Sequence, residues 1–478
     1  MSEPKSIQKD ELLARLPPVW PDNSLRDQIA QHISKTKRYV VVLDDDPTGT
    51  QTVHDILVLT RWELEDLRAA LTKGDPALYI LTNSRRMALA QAQMVNREIA
   101  LNLVYAAEAE ARAITVVSRS DSTLRGHYPG EVQALASALS MARGVPFDGL
   151  CIIPFFPEGG RFTIHDVHWV QEGSQLLPAS QTSYAQDPIF GYQHSRLQEW
   201  IEEKTNGAVP ASEVMSVSLD TIRRGGPDAV AQQLLCSQDG RVIVVNAAAY
   251  RDLEVFVSAL QCVEAEDKRF LFRTAASFVK VVAGITDRPL LTAAELVGNR
   301  NMRGGLIVFG SYVPKSNSQL AATMVLDRVE AIELPVLSVL DGASREQSLS
   351  EVAVEVNAAL SKGLDAVVYT SREIVTGETQ SESFSIVQSV SAALVEVINR
   401  VKYEPRYVLG KGGITSSDLA TGGMGVRTAR VMGQILPGVP AWRLGPQSRW
   451  PGLPFIVFPG NVGDEQSVAE IVLMLREQ

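Results

Sequence analysis

Cysteine is nearly missing from this chain: only Cys151, Cys236 and Cys262 occur in 478 residues. They are far apart and form no CxxC, so neither a disulfide framework nor a cysteine-built metal site is supported, and a reducing cytoplasm suits them. Positive charge is also short. There are 45 Lys and Arg against 55 Asp and Glu, a net charge of -10. That balance argues against a basic nucleic-acid-binding face, and an anionic small molecule would need a local cluster of Arg or Lys. No apolar run approaches the roughly 20 residues that span a bilayer, so no membrane partner is expected. The opening MSEPKSIQKDELL carries acids and no long apolar stretch, which does not support a secretory signal. The chain contains no internal repeat, no GxxxxGK[ST] phosphate loop and no GxGxxG turn, so the commonest nucleotide signatures are absent.

What is present is alternation. Short, β-branched apolar runs at 39–43, 78–81, 114–117, 150–153 and 242–245 are separated by helical stretches, the clearest at 84–112. A second set lies at 306–309, 366–369, 407–409 and 455–458, with helical patterns at 351–360 and 383–401. Such runs suggest strands buried on both faces of parallel sheets, and strand–helix alternation predicts an α/β fold. Arg288-Pro289 and GNRNMRGG interrupt the pattern. The expected organisation is an N-terminal extension over 1–36, a first domain over 37–290 and a second over 300–478. Each domain would carry a mostly parallel sheet flanked by helices, with the active site in the cleft between them. The stretch 154–207, rich in aromatics, Pro, Gly and His, reads as an insertion or long functional loop.

The apolar runs lead directly into polar clusters. In the first domain these are DDDPTGT, TNSRR, SRSDSTLRG and PFFPEGGR. Ligands of open α/β sheets bind outside the carboxyl ends of the strands. The first half-site is therefore ionic: Asp44, Asp45, Asp46, Arg85, Arg86, Arg119, Asp121, Arg125, Glu158 and Arg161 all lie in such loops. Arginine forks match carboxylates, and aspartates bind hydroxyls or accept their protons, so a small polyhydroxy acid would use both. Two chemistries fit the opening loop. Asp44-x-Asp46-x-Thr48 has the spacing of an aspartyl nucleophile in haloacid-dehalogenase-type phosphatases, and the same loop can offer a base to a hydroxyl. HDVHW spaces His165 and His168 three apart, which admits a metal, but only Asp166 stands near as a third ligand.

The second half-site is glycine-rich and nearly uncharged. GSYVPKS, GKGGITSSD and PGNVGDE each follow an apolar run. Glycines let backbone N–H groups approach phosphate oxygens, and Thr415, Ser416 or Ser417 would cap a following helix or meet phosphate.

Together these motifs resemble the four-carbon acid sugar kinase family, which joins an N-terminal acid-sugar-binding domain to a C-terminal nucleotide-binding domain. DDDPTGTQTVHD, TNSRR, SDSTLRGHYPGEV and PFFPEGGRFT resemble its substrate-side segments. FGSYVPKSNSQL, GKGGITSS and PGNVGD resemble its nucleotide-side segments, in the same order. This chain has Pro47 where the family commonly has Leu, and Phe458-Pro459 where it often has Lys-Ser, so Lys315, Lys411 or an arginine would supply the missing charge.

The resemblance implies ATP-dependent phosphorylation of a hydroxyl on a threonate-, erythronate- or oxo-tetronate-type acid, with Mg2+ accompanying ATP on ligands the sequence does not assign. Asp45 would be the catalytic base and Asp121 a second catalytic carboxylate. Asp46, Arg85, Arg125 and Arg161 would bind substrate, with Arg85 and Arg125 on its carboxylate. Ser311, Gly412, Gly413, Ile414, Thr415 and Gly460 would bind ATP. A cytoplasmic enzyme with small-molecule partners is expected, and a homodimer stays open. The alternatives are the phosphatase, with Asp44 as nucleophile, and a non-catalytic sugar-acid-binding protein on the same fold.

Overall fold

The run YVVVLD forms the strand Tyr39–Asp44, buried along its whole length. β-branched side chains in succession suit a strand covered on both faces. It pairs in parallel with Ala77–Leu81 on one side and Ile114–Arg119 on the other. Parallel pairing continues through Phe270–Thr274, Gly149–Ile153, Arg241–Val245 and Met215–Val217. The chain visits Ala77–Leu81 first and then crosses back to Ile114–Arg119, so the strand order reverses at Tyr39–Asp44. Such a reversal opens a crevice outside the carboxyl ends of the strands. The loops that start there carry Asp45, Asp46 and Asp121. The computed structural model describes residues 4–298, 303–311, 313–373, 375–460 and 462–476. Parts of GNRNMRGG and GSYVPKS, and Asn461 of the PGN turn, lie outside the described residues.

The helix Leu89–Ala109 buries Ala92, Asn96, Ile99, Ala100, Leu103, Val104 and Ala107, the three- and four-residue spacing of a single helical face. Asn96 is the polar exception on that face, and it points at the site described below. The region 154–207 contains a small antiparallel sheet made of Arg161–Ile164, Val167–Glu172 and Gln175–Pro178. Its first turn, His165-Asp166, has left-handed backbone at both residues (φ 53° and 64°), as a two-residue hairpin requires.

The N-terminal extension is built into this unit. Ile7–Gln8 adds a strand to the small sheet beside Gln175–Pro178. Leu25–Thr36 packs on the helix Tyr250–Glu264. Arg223 donates to the Pro17 carbonyl (2.8 Å) and forks onto Asp252 with two bonds of 2.8 Å.

The second unit has a mixed sheet. Val329–Leu334, Asp365–Thr370, Leu306–Phe309, Val408–Lys411 and Pro454–Phe458 run parallel. The hairpin Thr428–Leu436 with Val439–Leu444 then continues the sheet in antiparallel fashion. Its burial alternates along Thr428–Leu436, but Gly433 stands at a buried position and Met432 and Leu436 at half-buried ones, which blurs the apolar pattern in sequence. Thr379 caps Gln380–Asn399 by accepting the Glu382 N–H (3.1 Å), a capping-box start.

Each apolar run expected as a strand is one, to within two residues at either end. The partition of the chain is less simple. One unit comprises Met1–Gly49 and Arg61–Asp287, and the other comprises Thr50–Thr60 and Arg288–Gln478. The segment 50–60, placed in the first domain by sequence, groups with the second unit because Ile56–Leu59 pairs antiparallel with Thr428–Leu436. Trp442 Nε1 donates to Thr50 Oγ1 (2.9 Å), and Gln51 Nε2 donates to the Gly438 carbonyl (3.0 Å). Among the described residues, no helix is long and apolar enough to cross a membrane.

Arg223→Met would leave the fully buried Asp252 without its cation. It is expected to destabilise the first unit by about 3–5 kcal/mol, as removal of one partner of a buried pair does, read as a lower urea midpoint.

Candidate functional site

The three aspartates after Tyr39–Asp44 have three different environments. Asp44 is 1% exposed, and Arg119 Nη1 donates to its Oδ1 (3.1 Å). A Cβ at Gly49 would stand 2.1 Å from Asp44 Oδ2, so the bare glycine backbone lies against the carboxylate. Burial, reinforced by Asp45 and Asp46 and only partly offset by Arg119, pushes the Asp44 carboxyl up to about 8.

Asp45 is gripped by the fork of Arg85, through Nη2 to Oδ1 (2.6 Å) and Nε to Oδ2 (3.0 Å). Arg119 Nη1 stands 3.6 Å from its Oδ1. Asp46 accepts the Thr48 N–H (2.8 Å) and lies 3.4 Å from Arg85 Nη1. Arg85 reaches this place because Asn83 adopts a left-handed backbone (φ 56°) ahead of the short turn Ser84–Arg86.

The loop after Ile114–Arg119 brings Asp121 to the same crevice. Leu124, buried and left-handed (φ 71°), anchors that loop in the apolar cluster with Tyr128 and Trp200. Arg125 Nε donates to Asp121 Oδ2 (2.8 Å), and the Thr123 hydroxyl donates to the same oxygen. Burial would raise the Asp121 carboxyl, but Arg125, Arg85 and Thr123 outweigh it and hold the group far below the usual carboxylate range. Asp121 is thus a fixed anion, suited to orienting a ligand rather than taking a proton.

Arg125 also approaches Asp187 (3.5 Å). Arg161 is buried and donates to the Tyr184 hydroxyl (3.3 Å). Arg86 faces solvent, and Glu158 meets the Tyr250 hydroxyl (2.5 Å). The two histidines of HDVHW are separated by role: His165 is in the hairpin turn, while His168 is fully buried, with Nε2 2.7 Å from the Ser122 carbonyl and Nδ1 3.1 Å from Thr163 Oγ1. Among the described residues, no group of three His, Cys, Asp or Glu is arranged to hold a metal ion.

Sequence reading passed over two site residues. Glu131, in the first turn of Gly130–Arg143, accepts from Asn96 Nδ2 (2.9 Å) and from the Ser84 hydroxyl. Burial, with Asp45 nearby, pushes its carboxyl up to about 7. Arg273 is the lone charge inside the apolar strand Phe270–Thr274 and is 3% exposed. A single arginine in FLFRT was the available signal for it.

In the second unit, three strand ends converge. A Cβ at Gly310 would lie 2.2 Å from Thr415 Oγ1, one at Gly412 would lie 3.2 Å from Ser311 Cβ, and one at Gly460 would lie 3.7 Å from Ser311 Oγ. Ser311, Gly412, Thr415 and Gly460 are thus neighbours, and Gly412 uses a backbone (φ 109°) that side chains rarely adopt. Gly413 starts the short helix Gly413–Asp418, and Ile414 beside it is 45% exposed. Beneath them Lys411, fully buried, donates to the carbonyls of Pro459 (2.6 Å) and Gly460 (3.4 Å). Burial, with Lys315 nearby, pushes its ammonium down to about 7.

Residues 40–282 match the model of a sugar-binding N-terminal domain, and residues 306–468 that of a nucleotide-binding C-terminal domain. A solved Salmonella typhimurium LT2 protein, described as a candidate tRNA synthase, is 16% identical, covering 91% of this chain and 98% of its own at a TM-score of 0.63. Haemophilus influenzae protein HI1011 is 18% identical, covering 91% of this chain and 100% of its own at a TM-score of 0.60. At these identities the likeness is one of fold. No curated protein matches the chain.

Glu131→Gln fixes the neutral form of the buried carboxyl. Below about 4.5 the proton is bound in folded and unfolded wild type alike. As pH rises toward 7 the unfolded chain releases it while the folded chain keeps it, so wild type loses stability that the variant retains. The difference should grow to on the order of 3 kcal/mol by pH 7, read from thermal melts across that window. A pH-independent difference would contradict the assignment.

Proposed function

This chain belongs to the family that joins a sugar-binding N-terminal domain to a nucleotide-binding C-terminal domain, the organisation of the four-carbon acid sugar kinases, and from that premise we propose that it transfers phosphate from ATP to a hydroxyl of a four-carbon sugar acid. The observation that carries the reading is the contrast between the two strand-end sites. One is a buried array of aspartates and arginines, suited to a small polar acid. The other is a nearly uncharged convergence of glycines and hydroxyls, suited to phosphate.

Asp45 is the proposed base. Arg85 fixes both its oxygens, so one geometry is presented to the substrate hydroxyl. Kinases ask little basicity of such a group, since phosphoryl transfer depends mainly on positioning and charge stabilisation. Asp121 orients a neighbouring hydroxyl, and Asp46 shapes the loop by capping Thr48. Arg85 and Arg125 already serve these carboxylates, so their proposed role is to hold Asp45 and Asp121 in register. Ser311, Thr415 and the backbone around Gly412, Gly413 and Gly460 cradle the phosphates, with Ile414 beside the nucleotide. Lys411 fixes the turn at Gly460. Mg2+ bound to ATP would supply charge neutralisation on its phosphates. Transfer requires the two sites to meet during turnover, and excluding water then would limit hydrolysis of ATP.

The phosphatase alternative needs an accessible Asp44, but that carboxyl is buried against Gly49 and kept largely protonated.

ADP formation should depend on a sugar acid when the protein is given Mg-ATP and a panel of threonate, erythronate and oxidised tetronates. Phosphate release without ADP would favour the phosphatase. Asp45→Asn should lower kcat by about 10²–10⁴-fold while ATP binding persists, and undiminished turnover would remove Asp45 as base. Gly412→Ala forces a side chain into a left-handed position against Ser311. It should weaken ATP binding by about tenfold or more, roughly 1.4 kcal/mol, and unchanged affinity would move the nucleotide site elsewhere.

A further inference from the structure

The arginines at the carboxyl edge of the first unit's sheet are of two kinds. Arg85, Arg119 and Arg125 each lie within 4 Å of an aspartate carboxylate. Arg161 and Arg273 are also buried, at 4% and 3% exposed, yet among the described residues no carboxylate pairs with either.

Each guanidinium carries five N–H donors, and these two use very few. The Arg161 side chain makes one hydrogen bond, from Nη2 to the Tyr184 hydroxyl (3.3 Å), and its Nε is buried without a partner. The Arg273 side chain makes one, from Nη2 to the Arg125 carbonyl (3.1 Å). Aromatic faces cover the rest: Arg273 stands 5.3 Å from Tyr128 and 5.2 Å from Trp200, and Arg161 5.5 Å from Tyr184. Such faces offset part of the burial of a cation. They do not satisfy the buried Arg161 Nε, and a buried polar atom without a partner calls for an explanation.

The two arginines belong to one neighbourhood. Arg125 stacks on the same Tyr184 ring (5.2 Å), and its carbonyl receives Arg273. His168 feels both guanidiniums. Burial and those two cations hold its ring neutral, down to about 4, so it adds no third positive charge. Gly126 marks the distance to the acids. A Cβ there would stand 3.4 Å from Asp45 Oδ2 and 3.8 Å from Arg273 Nη2, so one small molecule at this glycine can touch both.

We propose that Arg273, together with Arg161, is the receptor for the substrate's carboxylate and sets the preference for a sugar acid over the matching neutral polyol. The assignment rests on the kinase reading above for its chemistry, and on the two unpaired cations for its location. A carboxylate offers two coplanar acceptors that match guanidinium forks. Anchored there, the acid would present its hydroxyls toward Asp45 and Asp121. Replacing the carboxylate by CH2OH would leave both cations uncompensated, which makes the site selective by what it fails to satisfy.

The test compares wild type, Arg273→Met, Arg273→Lys and Arg161→Met on threonate and erythronate and on threitol and erythritol. ATP binding is measured separately, and circular dichroism confirms folding. Arg273→Met should raise KM for the acid by about a hundredfold, with a smaller change in kcat, unchanged ATP affinity and loss of the preference for acid over polyol. Arg273→Lys should recover part of the affinity. Should Arg273→Met not fold, Arg161→Met and Arg273→Lys carry the same expectation at smaller size. An unchanged KM and acid-to-polyol ratio in folded variants overturns the receptor while the kinase reading stands. If wild type makes no ADP with any acid, the kinase reading fails, and calorimetric binding of threonate to wild type and Arg273→Met still decides the receptor. Equal binding, or none to wild type, overturns it.

Discussion

Three consecutive aspartates can be buried at the end of Tyr39–Asp44 only because arginines from two other strand ends reach them. Moving an ionised carboxylate into a protein interior costs several kcal/mol even after relaxation. Arg85 and Arg119 reduce that cost for Asp45 and Asp46. Asp44 escapes most of it by staying largely protonated. The same pairs lock side-chain directions, so the charge balance that permits burial also presets the geometry of the proposed base. Asp121 repeats the device with Arg125 and Thr123.

Glycines do the complementary work of letting groups come close. Gly49 gives room to the Asp44 carboxylate, Gly126 keeps the space between Asp45 and Arg273 open, and Gly310 and Gly412 bring Thr415 and Ser311 together. In the second unit this closeness replaces charge. Few ionised side chains converge there, so backbone groups and hydroxyls carry the proposed contact with phosphate, above a lysine that holds the Gly460 turn from below.

Much of this was legible in the chain. Strands such as 39–44 and 306–309 are short, nearly continuous apolar runs rich in Val and Ile, which suit a sheet covered on both faces. The polar loops could be placed on one edge of each sheet because parallel strands share a direction. The hairpin Thr428–Leu436 with Val439–Leu444 was not legible, since Gly433 on its buried face and Met432 and Leu436 on its half-buried face obscure the alternation. Nor was the grouping of residues 50–60 with the second unit, because Ile56–Leu59 finds its partner strand some 370 residues away. Glu131 and Arg273 were missed for a related reason. One looks like an ordinary helix-start acid and the other like a stray charge in an apolar strand.

The sequence by itself determined the α/β architecture, the division into an ionic and a glycine-rich half, and the candidate loops, because those depend on local pattern and strand direction. The tertiary structure decided which charges neutralise one another. Arg85 and Asp45 are 40 residues apart, and Arg119 and Asp44 are 75 apart. No local pattern distinguishes Arg125, committed to Asp121, from Arg273, which pairs with no carboxylate among the described residues. Only packing brings a given guanidinium within reach of a carboxylate, and the arginines left over are known once the others have found theirs.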